Sequence, residues 1–426
     1  MNYTLENARS LLAVGAIILV AWLLSENKRR FPVWLMAGAL ALQAGLVLAL
    51  FAIPNSQAAL NGVNAAFNGL AEATDRGTQF VFGYLAGGAQ PYATQPQGAD
   101  APFLFAFRVL PLILVISALS ALLWHWRILK WITRGFGILF ERTMGLGGAS
   151  ALAVAANIFM GMVESPIVIR AYLDRLTRSE LFLMMVVGLA TVAGSTMVAY
   201  ALILRETLPN AAGHILVASI ISAPAGILLA RIMIPEAEEG VDYSYGADLE
   251  YESTMDAITR GVADGIMVAV NVAAYLIVFV AFVWIANNLL ALLPTLYGEP
   301  VTLQLLFGYI FAPVAWLIGV PWSEAREVGT LLGAKLFLTE FIAFIDLGAI
   351  PSDALSERSR MIAAYALCGF ANVASIGIMT GGMTVLMPQR RPEILSLAWK
   401  ALLPGFMATL MTAAIVAALP ASLFAR

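Results

Sequence analysis

Charge is scarce in this chain. Only 12% of its 426 residues are charged, about half of the ~25% found in a soluble domain. A chain that is also 61% hydrophobic cannot cover itself in water, so lipid is the expected solvent for much of it. The small net charge of −3 excludes a broad basic surface for nucleic acid. Cysteine is nearly missing. Cys368 stands alone, which excludes an internal disulfide and any cysteine metal cluster. Histidine occurs only at His125 and His214. These lie far apart, and each is expected in a loop or packing interface rather than in a metal site. The features of a cleavable signal are also missing. The first apolar run, 11–24, follows Glu6 and Arg9, precedes Lys28-Arg29-Arg30 and lacks a small-residue cleavage site. It reads as the first transmembrane helix.

What is abundant is long apolar sequence. Runs of about 10–25, 32–53, 103–124, 181–205, 212–234, 263–294 and 394–424 reach the roughly 20 residues that cross a bilayer core. Short connections between them predict one polytopic membrane domain. Lys28-Arg29-Arg30, then Arg127, Lys130 and Arg134, then Arg390-Arg391 mark cytoplasmic loops by the positive-inside rule. Both termini are therefore expected on the outer side. Residues 58–85 and the basic, aromatic stretch 124–140 read as helices at headgroup level. The loops 87–100 and 236–252 are expected to be solvated and to carry no site.

Two stretches are apolar but too short to span. Residues 147–161 end in Gly161-Met162-Val163-Glu164-Ser165-Pro166. Proline disfavours helical backbone before it, so a break is expected near Ser165. A second short run, 167–176, follows with Arg170, Asp174 and Arg175. Two half-spans around a polar tip describe a re-entrant hairpin, which membranes tolerate only where it is buried in protein or lines a cavity. Residues 324–350 repeat the pattern, with a tip at Thr339-Glu340-Phe341 ahead of Pro351.

An internal repeat ties these hairpins together. Gly188-Leu189-Ala190-Thr191-Val192-Ala193-Gly194 reappears as Gly369-Phe370-Ala371-Asn372-Val373-Ala374-Ser375, at a constant offset of 181 (369 − 188). Each copy follows a hairpin whose tip carries a glutamate, Glu164 or Glu340. Interrupted helices at corresponding positions of two halves point to a midplane binding site. A carboxylate at that depth costs roughly 2.5–3.5 kcal/mol on insertion scales. Substrate binding is the expected role of the two glutamates, because a carboxylate accepts hydrogen bonds from hydroxyl or N–H groups. A buried ion pair with Arg170 or Lys335 and a proton relay are the alternatives.

These motifs resemble the concentrative nucleoside transporter family. The resemblance is carried by Asn157-Ile158-Phe159-Met160-Gly161-Met162-Val163-Glu164-Ser165-Pro166, by Ser179-Glu180-Leu181-Phe182, and by Gly188 to Gly194. It continues through Ile318-Gly319-Val320-Pro321-Trp322-Ser323-Glu324-Ala325, Glu340-Phe341-Ile342-Ala343 and Cys368-Gly369-Phe370-Ala371-Asn372. It implies an all-α protein of about eight transmembrane helices plus two re-entrant hairpins. Inverted repeats with broken helices would be divided between scaffold and transport domains. Residues 1–145 would be largely scaffold and 146–235 the first transport repeat. Residues 236–320 would hold a loop, a long scaffold helix and a connecting helix, and 321–426 the second repeat.

The resemblance further implies a bacterial inner-membrane homotrimer that imports nucleosides by cation symport. Sodium is the expected coupling ion, protons the alternative, and the motion elevator-like. It implies that Glu340, Asn372 and Ser375 bind ribose with Phe370 packing nearby. Glu164, Met162 and Val163 would face the base, with Thr196 in the same set. Sodium would sit among Asn157, the Met160 carbonyl, Thr191 and the Val192 carbonyl. Many members carry Gln-Thr where Met162-Val163 stand, so broad base preference is expected. An intramembrane enzyme or a passive channel would be the rival from another class. No serine–histidine pairing or histidine cluster supports an enzyme, and no cofactor beyond the coupling ion is expected.

Overall fold

The computed structural model describes residues 5–51, 56–88, 104–237, 250–295, 298–351 and 353–420. Among them every regular element is helical, and the protein is an all-α polytopic membrane protein. The chain opens with α1 (Leu5–Leu23), α2 (Val33–Phe51) and α3 (Ser56–Phe82). A single turn, α4 (Phe105–Arg108), leads into α5 (Leu110–His125), and α6 (Ile128–Met144) follows. The expected interfacial stretch 124–140 is therefore split. Arg127 takes a left-handed turn at φ 66°, so its first residues close α5 and the rest build α6.

The first hairpin is α7 (Gly148–Asn157) and a 3-10 helix, Ser165–Arg175. Here the expectation needs correction. The first arm ends at Asn157, well before Ser165. Pro166 opens the second arm instead of ending the first, because a proline in the first helical turn gives up an N–H that would lack a partner anyway. The second arm is 3-10 rather than α and is kinked at Ile169. Next come α8 (Arg178–Ala190), α9 (Gly194–Ile203) and α10 (Ala211–Met233). The Ser179-Glu180 motif proves to be part of a cap. Thr177 and Glu180 form a capping box at the start of α8, and Ser150 of α7 donates to Glu180 at 3.2 Å.

The long α11 (Thr254–Leu290) and α12 (Leu303–Leu317) precede the second hairpin, α13 (Trp322–Phe337) with α14 (Glu340–Ala349). Then α15 (Glu357–Leu367), α16 (Val373–Leu386) and α17 (Arg391–Ala418) close the chain. The sequence from α7 to α10 is thus repeated from α13 to α17 as hairpin, broken helix and closing helix. The closing helices α10 and α17 each contain a proline, Pro224 and Pro404. They meet through a hydrogen bond between Ser222 and Thr412 at 3.0 Å.

Among the described residues six helical stretches are long and apolar enough to cross a membrane. Burial separates them. In the most apolar part of Arg178–Ile203, Ala211–Met233 and Pro388–Ala418, 89% of the residues are buried, against 6% in that of Thr254–Leu290. The closing helices and the first broken helix therefore form the centre, and α11 is a peripheral post. At ~1.5 Å per residue its 37 residues exceed the ~30 Å apolar core of a bilayer. The pair α12 and α13 turns by 117°, too sharply to be one straight span.

Polar contacts sort the two ends. At one end Glu26 accepts from Arg178 at 2.9 Å and Lys400 at 2.7 Å, while Arg390 donates to the carbonyls of Leu173 and Leu176. At the other, Asn7 donates to the Ala417 carbonyl at 2.8 Å, and Arg358 pairs with Glu6 at 2.6 Å. The start of α1 and the end of α17 thus lie together. Of the loops expected to be solvated, 89–100 and 238–249 lie outside the described residues. Glu236 departs from that expectation, because it accepts from Thr177 at 3.0 Å and pairs with Arg231.

Candidate substrate cavity

The two helix breaks face each other. After α8, Thr191 leaves helical geometry (φ −109°, ψ 174°). Its hydroxyl folds back onto the Val187 carbonyl at 2.9 Å, a local bond that competes with the helix ladder. The freed peptides find fixed partners, as buried backbone must. Val192 N–H donates to Ser219 Oγ of α10 at 3.3 Å, and Gly194 N–H to the Phe159 carbonyl of the hairpin tip at 3.0 Å. In the second repeat Asn372 is the N-cap of α16 and its Oδ1 accepts from Ser375 N–H at 2.7 Å. Phe370 N–H donates to the Thr191 carbonyl at 3.2 Å, joining one break to the other. Gly369 permits this approach. A Cβ there would lie 2.8 Å from the Ala190 carbonyl oxygen and 2.5 Å from Thr409 Cγ2.

Between the breaks and the hairpin tips lies a cavity of ≈ 820 Å³, its open mouth included. Its lining contains Met162, Val163, Glu164, Thr196, Glu340, Phe370, Asn372 and Ser375, all eight residues expected around the substrate. Glu340 is held on both oxygens. Tyr200 donates to Oε1 at 2.7 Å and Asn372 Nδ2 donates to Oε2. Each oxygen keeps a further lone pair for a ligand hydroxyl. Glu164 accepts from Gly161 N–H at 2.9 Å, which folds the first tip around its carboxylate. Among the described residues neither glutamate forms the ion pair weighed from the sequence. Arg170 is exposed, and Lys335 instead donates to the Ala366 carbonyl and Thr409 Oγ1.

The expected cation residues gather beside this cavity. Asn157 is 1% exposed, and among the described residues neither polar atom of its side chain has a hydrogen-bond partner. Thr191 Oγ1 lies 3.4 Å from the Asn157 carbonyl oxygen. Met160 follows Phe159, whose carbonyl meets Gly194, and the Val192 carbonyl accepts from Ser219 at 3.4 Å. A buried amide without partners beside several oxygens suits a hard cation. The histidines stand apart. His214 bonds Tyr365 at 3.2 Å, and His125 packs edge-on against Tyr251.

Several residues of the site were not foreseen. Tyr200 stacks on Phe344 at 4.2 Å and meets Phe341 edge-on, so its hydroxyl is fixed on Glu340. Val268, Val272, Tyr275 and Leu276 of α11 form one cavity wall. Their spacing is a helical stripe. In an apolar span nothing in that stripe says whether it meets lipid, a helix or a cavity.

The chain is similar in sequence and fold to known proteins. Residues 12–85 and 214–417 match the N- and C-terminal profiles of the Na+ dependent nucleoside transporter family. Residues 106–207 match a nucleoside recognition profile. The chain belongs to the concentrative nucleoside transporter family. Among its relatives, nucleoside permease NupC of Helicobacter pylori is 32% identical over 95% of this chain and 96% of its own. An uncharacterized transporter, YutK of Bacillus subtilis, is 37% identical over 95% and 97%. Sodium/nucleoside cotransporter 1 of Rattus norvegicus is 34% identical over 80% of this chain, which spans 53% of that longer protein. A solved structure of CNTnw in an inward-facing substrate-bound state superposes with a TM-score of 0.88, 32% identity and coverage of 97% and 98%. The family is one of transporters, not enzymes, and its members are multi-pass membrane proteins.

Proposed function

We propose that this chain is a sodium-coupled nucleoside importer of the bacterial inner membrane. The observation that carries the reading is the convergence of both hairpin tips and both helix breaks on one cavity, with Glu340 fixed between Tyr200 and Asn372. A ribose supplies hydroxyls to the open lone pairs of Glu340 and to the Asn372–Ser375 turn. Phe370 and the apolar wall of α11 cover the sugar and base. Met162 and Val163 offer the base only packing. Glu164 is then its main polar contact, and broad base preference follows.

The unpartnered Asn157 amide supports sodium at the first break, with the Met160 and Val192 carbonyls and Thr191 as further oxygens. One sodium per nucleoside draws about 2.3 kcal/mol from each 100 mV of potential and about 1.4 kcal/mol from a tenfold gradient. Together that is ~3.7 kcal/mol, enough for accumulation of several hundredfold.

The basic loops belong in the cytoplasm, which leaves both termini outside. The well-buried repeats would move as the transport domain against a scaffold that includes α11, in an elevator-like displacement. The exposed apolar length of α11 gives a homotrimer a face to bury. Uptake of labelled uridine into proteoliposomes tests the reading. Replacing sodium with choline should abolish accumulation. Uptake that survives choline and collapses with the proton gradient would favour proton coupling. Uptake that follows no ion gradient would sink the symporter reading.

A further inference from the structure

The wall helix α11 lines more than the substrate cavity. Asp264, Val268 and Val272 follow one another at steps of one helical turn on α11, so they share one face. Val268 and Val272 belong to the apolar wall of the substrate cavity. Asp264 lies beyond that wall, in a second chamber of ≈ 560 Å³, its open mouth included. Glu164 and Ser195 line both spaces. The second chamber therefore continues the first, past the glutamate at the tip of hairpin 1.

Small residues set Asp264 in this position. Gly261 and Gly265 of α11 press against α5, where an added Cβ would lie 2.7 Å from Ala118 Cα and 2.7 Å from Leu114 Cα. That close approach brings Ser117 and Ser120 of α5 into the same chamber as Asp264, with Tyr251 as a further hydroxyl. The charge of the chamber is one-sided. Its lining holds two carboxylates, Glu164 and Asp264, and no basic side chain. Among the described residues neither forms an ion pair. Arg260, one turn earlier on α11, pairs with Asp256 at 2.8 Å instead. A space lined in this way attracts hydrogen-bond donors and positive charge, and repels anions.

We infer that the second chamber receives a substituent carried on the nucleoside base, and that Asp264 together with Glu164 selects an amine-bearing arm over an acidic one. The inference rests on the placement of the base at Glu164. It extends the ligands of the site from plain nucleosides to base-modified ones with a cationic arm. Asp264 does not line the substrate cavity itself, so it meets the arm and not the ribose.

Competition against labelled uridine uptake in proteoliposomes tests this. The probes are uridines with an aminoallyl or a carboxyvinyl arm at C5, and adenosines with an aminoethyl or a carboxymethyl arm on the exocyclic nitrogen. Two series are used because the arm can leave the base in more than one direction. In at least one series the amine should compete better than the acid by about tenfold or more, a difference of ~1.4 kcal/mol. A smaller ratio in both series overturns the proposal. Asp264→Asn should cut the ratio at least about threefold, because one of the two charges is removed. Asp264→Glu should keep it. A smaller fall in Asp264→Asn overturns the role of Asp264, since Glu164 alone would then account for the preference. If that variant does not reach the membrane, the wild-type ratio and Asp264→Glu decide. Wild-type protein that takes up neither plain uridine nor plain adenosine would instead sink the nucleoside reading, before any armed probe is used.

Discussion

The two repeats have the same plan and opposite chemistry at their breaks. In the first, the polar groups around Thr191 leave the Asn157 amide unpartnered in a buried place. In the second, Asn372, Glu340 and Tyr200 form a continuous chain of hydrogen bonds, and Lys335 donates to the Ala366 carbonyl behind it. An unpartnered buried amide costs stability, so a fold retains one where something else supplies the missing bonds. The first repeat keeps a buried amide open, while the second holds its carboxylate fixed by two side-chain donors.

The sharpest way to break this comparison is at Glu340. Removing a partner from a buried charged hydrogen bond costs ~1.5–3 kcal/mol. Glu340→Gln, and to a lesser degree Asn372→Ala, should therefore weaken uridine binding at least about tenfold, read by calorimetry. Wild-type affinity in either variant would remove that residue from the site. Nucleosides lacking ribose hydroxyls should lose affinity in parallel, and free bases should scarcely bind.

The contact between the breaks comes next. Gly369→Ala pushes a methyl into the Ala190 carbonyl and Thr409, and overpacking of this kind costs about 1–3 kcal/mol. Gly377 of α16 has nothing within 4 Å of its Cβ position, so Gly377→Ala should be neutral or stabilising by about 0.5–1 kcal/mol. Thermal unfolding in detergent compares the two. Equal stability would mean the breaks are not packed against each other as described.

Asn157→Ala sharpens the comparison by separating stability from coupling. Deleting an amide that has no partners should leave sodium-free stability within about 1 kcal/mol. Sodium should stabilise wild-type protein and leave the variant unshifted, as a linkage effect must when the site is lost. A thermal shift by sodium that persists in the variant would move the cation elsewhere.

The smallest effect is expected on the base side. Met162 packs where a Cβ on Gly188 would meet it at 2.9 Å, and Val163 lies against Gly382. Both therefore divide their contacts between cavity and protein. Met162→Gln with Val163→Thr should sharpen discrimination among uridine, cytidine, adenosine and guanosine by about tenfold, because new polar groups would be left unpaired by the wrong base. Competition uptake measures this. A wild-type protein that already discriminates a hundredfold would mean other residues read the base edge.

Much of the site was legible because breaks and hairpins leave marks in sequence. Gly188 to Gly194 and its copy at Gly369 to Ser375 gave both breaks, and the glutamate tips gave both hairpins. The hairpin boundary was misplaced because Pro166 restricts the residue before it and also suits a helix's first turn. Local preference does not choose between these uses.

By itself, the sequence determined that the chain lives in lipid, that it repeats, and which polar residues sit where helices must stop. These are local matters of hydropathy, glycine and proline, and each acts within a few residues. Only the tertiary structure decided which partners those residues meet. Lys335 and Glu340 are five positions apart, and an ion pair was one alternative the sequence left open. The packing of α13 against α15 and α17 instead sends the ammonium to the Ala366 carbonyl, while Tyr200, 140 residues away, takes its place on the carboxylate. Contacts over such separations depend on how whole helices cross, and no local pattern encodes them.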